Sequence, residues 1–213
     1  MAAIDSYLQR VVRFREKLCI ALHVSGGQPA RAPELLSIRH QNTDSGGHRN
    51  IFVEDRLVVF VTHYHKGFYA SNDTKVIHRY LPQEVGELVV WYLWLVLPFV
   101  QRLEAYQRKV RGVEGHSRAN RQAFLWPPDP NTHREWSSER LRELLKRETT
   151  AGLRGQALNL SAYRDIAIGI SRRYMRPSSV FPSNMHYDDR VLDDVDAESG
   201  MGAEQWMGYI ADL

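Results

Sequence analysis

Three cationic side chains stand at places where chemistry could be done. Arg31 lies in Ser25-Gly-Gly-Gln-Pro-Ala-Arg31-Ala-Pro-Glu34-Leu35-Leu36-Ser-Ile-Arg39, where a polar turn ends and an apolar helical pattern begins. An arginine at a helix start sits near the positive end of the helix, so its guanidinium and the backbone N–H donors can grip one anion together. The plainer alternative is an arginine in the solvated first turn of a surface helix. Lys66 falls in Tyr64-His-Lys66-Gly67, between two strand-like runs, and Arg164 falls in the late helical run Asn159-Leu-Ser161-Ala-Tyr-Arg164.

The 213 residues make one domain, or one domain with an appendage, at 43% hydrophobic and 25% charged. The single cysteine, Cys19, excludes an internal disulfide framework and a cysteine-based zinc site, and points to a reducing compartment. Charged residues run through the first twenty positions, so no signal peptide is expected. The net charge of +3 hides an asymmetry. From Asp188 onward there are eight acids and one base, Arg190, which leaves 27 Lys+Arg against 17 Asp+Glu, a net +10, over residues 1–187. A basic body suits a polyanionic partner. The acidic tail either lies over that surface or is a solvated linker.

The elements that must position the cations follow from periodicity. An amphipathic helix is expected over 4–22, and the Arg31 helix to about His40. Strands are expected at Asn50–Val53, Leu57–His63 and Lys75–Leu81, with Glu54-Asp55-Arg56 as a turn and Lys66 at or near a hairpin. Pro82 opens a helix. The apolar run Leu88–Val100 reads as a buried core helix, because thirteen residues closed by Pro98 are too few to span a bilayer. A more polar helix continues to Arg111, and Phe124-Leu-Trp126 is a short strand or anchor. Ser137 and Ser138 cap a helix reaching Glu148, and a last helix runs from about Asn159 to Tyr174 with Ile166 and Ile170 on its buried side. The sum is an α+β chain, mainly α, with a small antiparallel three-stranded sheet.

This order of cations resembles the catalytic domain of tyrosine recombinases, the phage-integrase-like proteins. Pro-Ala-Arg31-Ala-Pro-Glu34-Leu35 is similar to the family's first arginine segment. His-Lys66-Gly, with Val76-Ile-His-Arg79-Tyr-Leu-Pro82 after it, is similar to the lysine hairpin, and Ser161-Ala-Tyr-Arg164 is similar to the second arginine motif with serine in place of histidine. More narrowly, Gly-Gln-Pro-Ala-Arg31, Tyr64-His-Lys-Gly67 and Ile77-His-Arg-Tyr-Leu-Pro82 resemble a fungal group of degenerate recombinase-like domains from mobile elements, some fused to telomere-linked RecQ-like helicases. The resemblance covers roughly residues 5–187. It implies a recombinase-like catalytic domain over 1–187, C-terminally incomplete, followed by an acidic insert or tail over 188–213.

The resemblance implies DNA breaking and rejoining. Two arginines, Arg31 and Arg164, would hold the non-bridging oxygens of a phosphodiester, and Lys66 would protonate the departing 5′-oxygen, with Lys75 as its alternative. A tyrosine would form a covalent 3′-phosphotyrosine. Tyr209 is the one tyrosine near the end, 45 positions after Arg164, a longer gap than the family's, and Gly200 stands where a histidine or tryptophan is expected. The expectation is therefore a nuclear, DNA-binding domain that does not complete cleavage. An active recombinase using Tyr209, and an interaction module left from a mobile element, remain the alternatives. Arg39, His65, Lys75, Arg79, Arg172 and Arg173 are candidate DNA contacts, or solvated faces. His63, His65 and His78 have no carboxylate spaced with them, so no metal or other cofactor is expected. Duplex DNA is the expected partner, self-association on DNA is left open, and no membrane is expected.

Overall fold

The first helix is built on a repeating apolar face. In α1 (Ala2–Ser25), Leu8, Val11, Leu18 and Leu22 recur at helical spacing and are buried. The helix stops where the Ser25 hydroxyl donates back to Ala21 O at 2.6 Å and Gly27 takes a left-handed φ of 78°. Gly26 is required by close approach: a Cβ there would lie 2.8 Å from Leu22 O and 3.1 Å from the Phe60 ring. A computed structural model describes residues 2–64, 75–111, 123–130 and 132–174. It divides into two units, Met1–Ala157 and Leu158–Leu213.

In the first unit the second helix, α2 (Ala32–Leu36), is shorter than its sequence pattern predicts. The Ser37 hydroxyl donates to Glu34 O and ends it. Ile38 to His40 instead run extended beside residues 123–125, with Leu125 N–H bonded to Ile38 O and His40 N–H to Ala123 O. Arg39 and Phe124 form the bridge between them. Leu125 and Trp126 are buried, and the Trp126 indole N–H donates to Leu35 O at 2.9 Å, so this segment anchors α2.

A three-stranded antiparallel sheet follows in the order β1 (Ile51–Glu54), β2 (Leu57–Tyr64), β3 (Lys75–Tyr80). Asp55 and Arg56 make the β1–β2 turn with φ of 48° and 66°, the left-handed pair of a type I′ hairpin. Register pairs Phe52 with Val59 and Val59 with Tyr80. Val58, Phe60 and Thr62 alternate onto the core face of the central strand, and Val59 is buried on the other.

Pro82 caps α3 (Gln83–Trp91), whose Gly86 would meet Val58 at 3.2 Å if it carried a Cβ. A π-helical turn, Tyr92–Val96, joins it to α4 (Leu97–Arg111). Leu97 N–H reaches back five residues to Tyr92 O, and Pro98 next to it has no N–H to offer Trp94 O. Val89, Tyr92, Leu97 and Val100 are buried, with Val100 packed on Leu8 and Val11 of α1. Leu88, Trp91, Trp94, Leu95 and Phe99 are exposed, so the apolar run predicted to be a buried core helix is buried on one face alone. The run Gln83–Val110 is also long and apolar enough to meet the length and hydropathy of a membrane span, a criterion that core helices of soluble proteins meet too. α5 (Ser138–Gly152) starts at Ser137, whose hydroxyl accepts from Arg140 N–H, and its Leu141, Leu144 and Leu145 pack inward toward α1 and α2.

In the second unit, α6 (Leu160–Tyr174) is capped by Asn159, whose Oδ1 accepts from Ala162 N–H at 2.7 Å. Leu158 and Ile166 are buried, whereas Ile170, expected on the buried side, is exposed. The fold class is thus mainly helical with one small antiparallel sheet.

Candidate functional site

Arg31 is the residue before the first turn of α2, in extended conformation with φ −69° and ψ 151°. Pro29 and Pro33 on either side restrict the backbone that presents it. A buried network holds this corner. Glu34 Oε2 accepts the Arg31 backbone N–H at 3.3 Å and the Arg79 Nη2–H at 3.2 Å. Arg79 Nε donates to Gln28 O at 2.9 Å, and its Nη1 donates to Thr62 Oγ1. One guanidinium therefore ties the loop before α2, the first turn of α2 and the central strand together. Arg31 itself is half-buried. With only five residues, α2 adds little dipole, so the anion affinity of this corner rests on the arginine's own charge.

Arg79 corrects one sequence expectation. It is 3% exposed, and a guanidinium so placed and bonded does not meet a phosphate at the surface. It positions Arg31 instead. The alternation of β3 carried the signal, because Ile77, Arg79 and Leu81 share one face while Val76, His78 and Tyr80 point to solvent.

Arg39 is half-buried and stacks over the Phe124 ring at 4.8 Å, with its backbone N–H bonded to Asn50 Oδ1. Lys75 opens β3 in register with Tyr64. His65 and Lys66 lie in the connection 65–74, outside the described residues, and Tyr209 lies outside them as well. Arg164 belongs to the second unit, is half-buried on α6 and makes no bond or ion pair with any described residue. Arg172 and Arg173 sit at the end of the same helix, Arg173 exposed. The residues brought together are therefore Arg31, Glu34 and Arg79, with Thr62 and Gln28.

A second charged cluster escaped the sequence reading. Arg140, 2% exposed, donates to Glu16 Oε1 at 2.9 Å and lies 3.0 Å from Asp129 Oδ2, with its guanidinium 4.3 Å from the centre of the Trp136 ring. Arg147 reaches the other oxygen of Glu16 at 3.0 Å. Arg15, also buried, faces the Tyr92 ring. Position 15 falls between Val11 and Leu18 on the apolar face of α1, which was the available clue. Burial pushes the Tyr92 hydroxyl and the Cys19 thiol up from their ordinary values, Cys19 strongly. These groups lock helices together and present no reactive surface. Among the described residues no three His, Cys, Asp or Glu side chains gather as a metal site.

Comparison with protein-family models, with curated proteins and with solved structures finds no match in any of the three.

Proposed function

We propose that this chain binds the phosphate backbone of duplex DNA as a degenerate tyrosine-recombinase-like domain and does not complete strand cleavage. The observation that carries the reading is the Arg79–Glu34 pair. A buried cation and a nearly buried carboxylate are costly to desolvate, and here their bonds converge on the backbone of one arginine at the start of a helix. Such an arrangement suits an arginine whose position matters, as an oxyanion-binding group's does. The net +10 over residues 1–187 supports a polyanionic partner. Arg31, Lys66 and Arg164 are the proposed phosphate contacts, and the shortage of a well-placed tyrosine is the reason for proposing binding without cleavage.

The test is DNA binding by the full chain across a salt series, with a suicide duplex alongside. Affinity should fall as salt rises, and Arg31→Ala should weaken it about tenfold or more while lowering the salt slope by about 1. No binding at low salt would remove the DNA reading. A covalent adduct lost on Tyr209→Phe would replace it with an active recombinase.

A further inference from the structure

The outer face of α3, the π turn and α4 is the largest unexplained surface among the described residues. Trp94 is 77% exposed, Trp91 60% and Leu95 56%, with Leu88 and Phe99 flanking them. Aromatic side chains carry about 150–250 Å² each, so at these exposures the stripe offers about 600 Å² of apolar surface. Monomeric proteins rarely expose contiguous apolar patches beyond a few hundred Å². Two such stripes together would bury about 1,200 Å², the lower edge of stable interfaces.

The charges say which partner fits. Exposed acids, Glu84 and Glu87, stand at the start of this helix, and exposed bases, Arg102, Arg108 and Lys109, stand toward its end. None of Glu84, Glu87, Arg102 and Lys109 forms an ion pair with a described residue. Glu87 precedes Trp94 by seven residues and Arg102 follows Leu95 by seven, so acid and base are symmetric about the most exposed point of the stripe. Seven residues are two helical turns, which returns each charge to the face that carries the apolar residue. A surface with that symmetry is complementary to itself when turned end for end.

We infer that this face receives a second copy of the chain. The two helices pack antiparallel about a twofold axis at Trp94 and Leu95, and Glu87 of each copy meets Arg102 of the other. The apolar centre supplies the affinity and the paired charges select the antiparallel arrangement. This interface is independent of the DNA reading and is tested without DNA.

Sedimentation equilibrium of the full chain should give twice the chain mass in a concentration-dependent manner. Glu87→Arg and Arg102→Glu alone should each raise the dimer dissociation constant about tenfold or more, because both symmetry-related pairs become like-charged. The double exchange, Glu87→Arg with Arg102→Glu, should restore it. All three positions of change are exposed, so circular dichroism melts should match the parent. A dimer indifferent to Glu87→Arg would overturn the pairing. A chain monomeric at its highest soluble concentration would overturn the inference, and partitioning of that monomer onto phosphatidylcholine vesicles would assign the face to lipid instead.

Discussion

The Arg79 guanidinium donates to the Glu34 carboxylate at 3.2 Å, and the same carboxylate oxygen accepts the backbone N–H of Arg31. The pair separates two roles that look alike in sequence. Arg79→Met should destabilise the chain by about 3–5 kcal/mol in urea denaturation, because Glu34, Thr62 and the Gln28 carbonyl lose their buried donor. Adding Glu34→Gln should recover part of the loss. Arg31→Ala should change stability by less than about 1 kcal/mol and act on DNA affinity instead. Equal destabilisation by both variants would contradict this division.

Arg140 and Arg147 share Glu16 but differ in burial. Arg140→Met leaves Glu16 and Asp129 without their common cation in the interior, and should cost about 3–5 kcal/mol. Arg147 is 54% exposed, and Arg147→Ala should cost less than about 1 kcal/mol. The two denaturation midpoints measured side by side check the contrast.

Cys19 gives the chain an alkaline limit. Burial raises its folded-state pKa above the unfolded value of 9.0, so the folded form holds a proton that the unfolded form releases. Its contribution is fully present below pH 9 and declines as pH rises above that value. Once the unfolded thiol ionises, the slope approaches about 1.4 kcal/mol per pH unit from this group. Tyr92, raised chiefly by burial, adds to the decline at higher pH. Denaturation midpoints followed through the alkaline range should flatten in Cys19→Ala, and the native thiol should resist alkylation near neutrality. A midpoint that rises above pH 9 would contradict the sign.

Arg56 holds φ of 66° in the β1–β2 turn, a conformation that costs a non-glycine residue about 1 kcal/mol. Arg56→Gly should therefore stabilise the hairpin by about 0.5–1 kcal/mol, since glycine is the preferred second residue of this turn. A thermal melt compared with the parent reads it.

Helix and strand positions were legible because they are written in apolar period. α1, the three strands, and the caps at Ser137 and Asn159 fall within a few residues of the expected places. What misled was charge. Arginine reads as surface in a sequence, yet Arg15, Arg79 and Arg140 are buried, because their partners Tyr92, Glu34, Glu16 and Asp129 come from segments far along the chain. The Arg31 helix stopped early for a related reason. Its continuation through Ile38 and Arg39 is helical in pattern, but backbone pairing with Ala123 and Leu125 draws it into extended form. The apolar run at Leu88–Val100 overstated burial, because composition does not reveal how many sides of a helix find neighbours.

The π turn at Tyr92–Val96 makes chain length itself a structural variable. A π turn holds one residue more than the α-helical turn it replaces. Removing any one residue from it would restore regular winding and rotate everything from Leu97 onward by about 100° relative to α3, from 3.6 residues per turn. Val100 would leave its place against Leu8 and Val11, and the outer stripe would be cut in two. Single-residue deletions in this pentapeptide should thus be far more damaging than substitutions at the same positions, so the count of residues there constrains the molecule more tightly than their identity.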